Sequence, residues 1–155
     1  MTSHSASAFP LPIPFLQELG VEFVRMADGQ AEVALTLAPR HLNSWQVAHG
    51  GVIMTMLDTV MSMAGRSLDP NIRSGVTIEM KTSFMEPGGT EGCRMTAKGR
   101  VLKSTSSLCF AEAEVWNGDK LVAKASGTFK FIRRNDVARK MGHEVERDPI
   151  NGSDE

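Results

Sequence analysis

The sequence predicts an α+β domain in which a curved antiparallel sheet wraps around one long central helix. Residues 50–66 contain no proline, and their apolar side chains recur at helical spacing on nearly every face. Most of the chain from 21 to 131 instead alternates apolar and polar residues with the period of a β-strand. A single helix that is apolar nearly all round needs a sheet curled about it to bury its surface.

Three segments are expected along the 155 residues. A flexible lead-in covers 1–14, because this stretch is rich in serine and then carries three prolines at alternate positions. One domain covers 15–132, which is long enough to bury a single core. A charged tail without a sustained apolar period covers 133–155.

Before the helix, the pattern predicts a helical turn and a β-hairpin. The turn covers 15–19 and ends at Gly20, a residue type that commonly follows a helix. The hairpin pairs residues 21–26 with 31–37 around the Asp28-Gly29 dipeptide, which favours a two-residue hairpin turn.

After the helix, four strands are expected to follow one another as a meander. They are predicted near 76–81, 93–101, 108–116 and 121–131. In the first of them, the apolar residues Val76, Ile78 and Met80 are expected on one face of the sheet. Thr77 is expected on the opposite face.

Composition excludes several classes of function. The 17 basic and 18 acidic residues leave a net charge of -1, which argues against a nucleic-acid partner. No apolar run approaches the roughly 20 residues that span a bilayer, and no signal peptide is evident, so we expect a cytoplasmic protein without a membrane partner. The four histidines show no ligand spacing, so no metal is expected. Cys93 and Cys109 are expected to be buried free thiols.

A narrow polar stripe runs along the otherwise apolar helix. It consists of Thr55, Asp58, Thr59, Ser62 and Arg66. A carboxylate in such a helix needs hydrogen-bond partners, because burying an unpaired charge is costly. Two interpretations stay open for Asp58: a structural network with the stripe's hydroxyl groups, or a catalytic carboxylate.

The start of the helix is the second candidate for chemistry. Gly50 and Gly51 open it, and the first N–H groups of a helix lack internal partners and carry partial positive charge. They can stabilise the negative oxygen of a transition state, with Asn43 as a further donor, although a Gly-Gly pair can also simply form a tight turn. Asp58 lies eight residues beyond Gly50, roughly 12 Å along the helix, which is too far for both to act on one carbonyl carbon. If Asp58 is catalytic, we therefore expect the site at the interface of a twofold dimer.

The pattern H-x-N-x-x-x-x-x-H-G-G from His41 to Gly51, with Asp58 seven positions later, resembles a known family. It is similar to the hot-dog-fold acyl-CoA thioesterases of the phenylacetate-degradation (PaaI-like) and thioesterase-superfamily branch. The resemblance covers about residues 20–132, and the hot-dog fold is the curved sheet around one helix that the pattern predicts.

This resemblance implies a set of catalytic roles. Gly50 N–H, with Asn43, would hold the oxyanion of the thioester. Asp58 from the other subunit would act as general base or as nucleophile, and both roles stay open. Thr77 would help to position the water, and His49 would orient the loop or assist product departure.

The resemblance also implies substrate contacts. Gly51, Trp45 and Gln46 are expected near the acyl group, although Trp45 suits an interface or a core position equally well. Many relatives have glycine where this chain has Gln46, and this departure bears on the loop conformation and the acyl preference more than on the chemistry. For the nucleotide end of CoA, the candidate contacts are Lys103, Ser104 and Ser106, with a solvated hairpin turn as the alternative.

The sequence therefore predicts an acyl-CoA thioesterase that forms a dimer or a tetramer and needs no cofactor, since CoA is part of the substrate. A non-catalytic acyl-CoA-binding module with the same fold is the alternative from another class. A hot-dog hydratase or dehydratase is disfavoured because no second histidine is suitably placed.

Overall fold

The structure, a computed structural model, describes residues 12–136. The elements are α1 (Pro14–Leu19), β1 (Glu22–Ala27), β2 (Gln30–Thr36), a 3-10 turn (Pro39–His41), α2 (Gly50–Arg66), β3 (Ile72–Phe84), β4 (Arg94–Ser104), β5 (Leu108–Asn117) and β6 (Lys120–Arg133). The predicted lead-in and tail lie for the most part outside the described residues. The expected turn at α1, the β1–β2 hairpin and the central helix α2 are confirmed.

The six strands form one antiparallel sheet in the order β1-β2-β4-β5-β6-β3, curved around α2. The helix contacts all six strands, so its apolar surface is buried in the way the sequence predicts. Its buried residues include Ile53, Met56, Leu57, Val60 and Met61. The predicted hot-dog architecture is therefore confirmed.

The predicted four-strand meander is wrong in one connection. β4, β5 and β6 are neighbours, but β3 pairs with β6 and β4 pairs with β2. The chain between β3 and β4 crosses the sheet and is anchored on the way, where Ala48 N donates to Gly89 O and Leu37 N donates to Cys93 O. A period-two pattern identifies a strand but does not specify its neighbours, so the crossing was not predictable from alternation.

Met80 lies on a different face of β3 from Val76 and Ile78, with which the alternation had grouped it. Thr77 faces α2, while Val76 and Ile78 are 51% and 57% exposed. A register shift between Thr77 and Glu79 restores the inward direction for Met80, which packs on the core. Thr77 and Met80 therefore share a face, because a bulge adds one residue to the strand and changes its alternation.

The helix backbone approaches the sheet most closely at β4. A Cβ atom on Gly99 would lie 2.8 Å from the carbonyl oxygen of Val60. No side chain fits into that space, so glycine at this position lets α2 sit directly on the sheet.

The two cysteines have different surroundings. Cys109 is a buried free thiol, as predicted, and burial raises its pKa. Cys93 is also a free thiol but is only partly buried, with its Sγ 3.7 Å from Thr90 Oγ1, so the prediction of burial was wrong for this residue.

Two features are absent from residues 12–136, the described part of the chain: a membrane-spanning helix and a metal-binding group of side chains. None of the helices there has the length and apolar character needed to cross a membrane. Nor do three or more His, Cys, Asp or Glu side chains come together there in a group that would hold a metal ion.

Candidate active site

Asp58 lies in the middle of α2 and is partly exposed. Its Oδ1 accepts a 2.6 Å hydrogen bond from the hydroxyl group of Thr77 on β3. Within residues 12–136 its second oxygen, Oδ2, accepts no hydrogen bond. One carboxylate oxygen is therefore held in place, and the other is available to a water molecule or a ligand.

The purely structural interpretation of Asp58 is not supported by the hydroxyl groups of its own helix. Thr55 Oγ1 donates to Gly51 O at 2.8 Å, and Ser62 Oγ donates to Gly75 O at 3.1 Å. The Thr55 bond is the usual one of a helical Thr to a carbonyl group one turn earlier, whereas Ser62 bonds to the carbonyl group of a β3 residue. The partner of the carboxylate comes from β3 instead.

Asp58 lines a pocket of about 650 Å³. All members of the predicted polar stripe line it: Thr55, Asp58, Thr59, Ser62 and Arg66. Apolar side chains complete its walls: Ile13, Phe15, Leu16, Met54, Met63, Met80 and Ile132. The pocket can therefore hold an apolar group beside a row of polar side chains.

His49 forms the N-cap of α2, since its Nδ1 accepts the backbone N–H of Gly51 at 2.9 Å. This bond places the proton of the neutral ring on Nε2 and occupies the Gly51 N–H group. The Gly50 N–H, which has no partner in the described chain, stays available at the positive end of the helix dipole.

Asn43 shapes the loop before the helix. Its Oδ1 accepts hydrogen bonds from the backbone N–H groups of Trp45 (2.9 Å) and Val47 (3.4 Å). Its backbone N–H donates to Val47 O (2.8 Å). Two backbone N–H groups donate to the same side-chain atom of Asn43, so this atom is the amide oxygen. The side-chain NH₂ group of Asn43 then has no partner among residues 12–136. Gln46 closes the loop at φ 60°, in the left-handed region that glycine prefers.

Gly50 and Asn43 line a second pocket of about 390 Å³, together with Ile53, Phe84 and Pro87. This pocket shares no lining residue with the pocket of Asp58. Within one chain, the candidate oxyanion donors and the candidate carboxylate therefore face different cavities, in agreement with the roughly 12 Å that separates them along the helix.

The remaining predicted contacts lie outside both pockets. Trp45 is 85% exposed, and Gln46 is exposed beside it. Lys103, Ser104 and Ser106 lie at the exposed β4–β5 turn, where Ser106 O accepts a bond from Arg133. Their roles toward the acyl group and the nucleotide stay predictions.

His41 is a structural residue of the site, a role that its place in the sequence motif does not indicate. Its ring is fully buried, where Nδ1 accepts Ala38 N–H at 2.9 Å and Nε2 bonds Leu19 O at 2.7 Å. Its carbonyl oxygen accepts His49 N–H at 2.8 Å. His41 thus links the end of α1, which borders the Asp58 pocket, to the N-cap of α2.

Comparison with known proteins points to one family. The sequence pattern of the thioesterase superfamily matches residues 46–124. A medium/long-chain acyl-CoA thioesterase of Salmonella typhimurium, YigI, is 28% identical over 137 residues, which cover 78% of this chain and 87% of YigI.

Two solved structures resemble the fold closely. A conserved protein of Pseudomonas aeruginosa, PA5202, superposes with a TM-score of 0.71 at 33% identity, over 78% of this chain and 95% of that one. The PaaI protein from the phenylacetic acid degradation operon of Escherichia coli superposes with a TM-score of 0.70 at 27% identity, over 76% and 83% of the two chains.

Proposed function

Because the chain belongs to the thioesterase superfamily, we propose that it hydrolyses acyl-CoA thioesters to a free acid and CoA. The observation that carries the proposal is that the chain has two groups suited to this reaction. One is a free Gly50 N–H at a helix start, and the other is the Asp58 carboxylate, whose Oδ1 is held by Thr77. The first stabilises negative charge on a carbonyl oxygen, and the second activates water or attacks the carbonyl carbon. Thioester hydrolysis needs both groups.

The two groups act on one substrate when they come from two copies of the chain. Gly50 and Asn43 of one copy would bind the thioester oxygen, and Asp58 and Thr77 of the other would approach the carbonyl carbon. The separation of their pockets within a chain supports this arrangement, since neither pocket holds both groups. A twofold axis brings such unlike parts together twice, which makes two sites per dimer.

The edge of the sheet offers a surface for this association. β3 is the last strand in the sheet order, and Val76, Ile78, Phe84 and Met85 on and beside it are about half exposed. A long apolar strand edge left in water invites pairing with another strand. A second copy on β3 would cover it and bring the two α2 helices close to each other.

Hydrolysis can follow either of two routes from this geometry. As a base, Asp58 takes a proton from water, whose oxygen attacks the carbonyl carbon, and the C–S bond then breaks with the proton passing to the sulfur. As a nucleophile, Asp58 attacks first and forms an anhydride while the CoA thiolate leaves, and water then cleaves the anhydride. In both routes Gly50 N–H and the Asn43 amide bind the oxyanion, and no cofactor is needed.

Thiol release from a panel of aryl and aliphatic acyl-CoAs tests the proposal. We expect turnover of at least one member by the wild type. Asp58→Asn, which preserves the shape of the side chain and the acceptor for Thr77, should lower kcat by at least about a hundredfold, the usual contribution of a general base or nucleophile.

The same panel distinguishes the alternative of an acyl-CoA-binding module. An Asp58→Asn protein that retains wild-type turnover would remove Asp58 from the chemistry. Binding of acyl-CoA without turnover of any thioester by the wild type would instead identify a binding module.

A further inference from the structure

Two arginines are among the residues that line the Asp58 pocket. Arg66, in the last turn of α2, and Arg73, near the start of β3, both line the pocket. Burial, followed by repulsion from Arg134 and Arg73, lowers the pKa of the Arg66 guanidinium. Positive charges collected at a partly buried position disfavour one another unless an anion neutralises them.

Asp69 and Asp136 have hydrogen-bond partners of their own, and Asp58, which lines the same pocket, lies eight residues before Arg66 on α2. Asp69 Oδ1 accepts Asn71 N–H, and its Oδ2 accepts a 2.7 Å bond from Arg133. These two bonds, the backbone one first, hold the pKa of Asp69 below its usual range. Asp136 accepts the backbone N–H of Arg133. Within residues 12–136, neither Arg66 nor Arg73 forms an ion pair.

A role in helix stability explains only part of this cluster. A basic residue in the last turn of a helix interacts favourably with the helix dipole, which is sufficient reason for Arg66. Arg73 belongs to a different element and meets the same pocket, so the dipole does not explain it. Two guanidinium groups from two elements that line one pocket are suited to bind an anion.

We propose that Arg66 and Arg73 bind a carboxylate at the far end of the acyl group, so that the preferred substrate is a CoA monothioester of a dicarboxylic acid. This inference rests on the proposed thioesterase function. The planar guanidinium group matches a carboxylate in shape and donates two parallel hydrogen bonds to it.

The dimensions and the lining of the pocket agree with a dicarboxylic acyl chain. Asp58 and Arg66 are eight residues apart on α2, roughly 12 Å along the helix. Met63, Met80 and Ile132 line the pocket together with these polar ends, so they give methylene groups an apolar surface. The phosphates of CoA are the other source of anionic charge, but the pantetheine arm separates them from the thioester, whereas these arginines line the same pocket as Asp58.

The test compares two acyl-CoAs of equal chain length, one ending in a methyl group and one in a carboxylate. For the wild type we expect a higher kcat/KM with the carboxylate. In Arg66→Gln/Arg73→Gln the ratio of the two kcat/KM values should fall by about tenfold or more, the range of a lost charge-assisted hydrogen bond. Arg25→Gln, which removes an exposed arginine paired with Glu32, is the matched control and should retain the wild-type ratio.

Thioesters of N-acetylcysteamine, which carry no phosphate, separate the two sources of anionic charge. If the arginines bind the acyl carboxylate, the wild type prefers the carboxylate-ended substrate among these short thioesters too. The double variant then loses this preference in the same way. The double variant could instead lose kcat/KM equally for both CoA esters and lose none with the phosphate-free thioesters. That result would assign the arginines to CoA and overturn the proposal, and so would a ratio of kcat/KM values that is unchanged from the wild type. Arg73→Gln alone, at an exposed position, repeats the test if the double variant does not fold.

Failure of the thioesterase function itself would look different. In that case no thioester of either series would be hydrolysed, or hydrolysis would persist in Asp58→Asn. If the wild type prefers the methyl-ended substrate and Asp58→Asn abolishes its activity, the dicarboxylate proposal is overturned while the thioesterase proposal stands.

Discussion

A single hydrogen bond joins the candidate catalytic carboxylate to the sheet. The Thr77 hydroxyl holds Asp58 Oδ1 at 2.6 Å, so the orientation of the carboxylate depends on the position of β3 as well as on α2. Because the bond has a charged acceptor, it is stronger than an ordinary hydroxyl contact.

Replacing Thr77 tests the importance of this bond. Thr77→Val preserves the shape of the side chain but removes the donor, and we expect kcat/KM to fall roughly ten- to a hundredfold, as for a lost hydrogen bond to a charged group. Thr77→Ser retains the hydroxyl group and should stay within a few-fold of the wild type. Equal activities of the two variants would show that the hydroxyl group does not support the carboxylate.

Gln46 is one of two non-glycine residues with a positive φ within 12–136, and the other, Asp28, is of a type that tolerates this region. A non-glycine residue at φ 60° costs about 1–2 kcal/mol relative to the right-handed regions. Gln46→Gly removes this cost but makes the unfolded chain more flexible, so we expect the free energy of unfolding to stay level or rise by about 1 kcal/mol in urea titrations. Ser44→Gly, at an ordinary φ in the same loop, should lower it by about 0.5–1 kcal/mol, and a similar loss for Gln46→Gly would contradict the conformational argument.

Among the elements, α2 carries both halves of the proposed chemistry, and its contact with β4 determines where those halves lie. Gly99 leaves room for the Val60 carbonyl group, and a Cβ there would come within 2.8 Å of it. The helix can therefore lie directly on the strand only while position 99 is glycine.

We expect Gly99→Ala to push α2 away from the sheet and to lower the free energy of unfolding by about 1–3 kcal/mol, the cost of overpacking a core. Urea unfolding measures the change. Lys98→Ala, on the exposed face of the same strand, is the control and should stay within about 0.5 kcal/mol of the wild type. An unchanged Gly99→Ala protein would mean that the contact has space to relax.

The elements differ in how well the sequence predicts them. The bounds of α2 and its polar stripe follow from one continuous apolar pattern with a clear start, and the stripe does line the pocket. The face of Met80 on β3 does not follow, because the bulge between Thr77 and Glu79 changes the alternation and the glycine of this strand, Gly75, lies outside it. Strand order depends on contacts between distant residues, which a local pattern does not contain.

For the molecule as a whole, the separation of Gly50 from Asp58 is the feature that the sequence predicts best. The helical rise alone implies that the two groups face different pockets, and their pockets are separate. The meeting of Arg66 with Arg73 and the bond between His41 and Leu19 join residues of different elements, so they required the folded chain.

The most direct test of a site shared between two copies is subunit mixing of two inactive variants. Asn43→Asp retains side-chain oxygen acceptors for the loop N–H groups but loses the amide donor, and Asp58→Asn loses the carboxylate. After subunit exchange of equal amounts, each mixed dimer would have one site with wild-type Asn43, Gly50 and Asp58. Thiol release should then recover to about a quarter of the wild-type rate, because half of the dimers are mixed and each has one intact site of two. No recovery, with exchange shown independently by a mass-tagged subunit, would contradict the shared site.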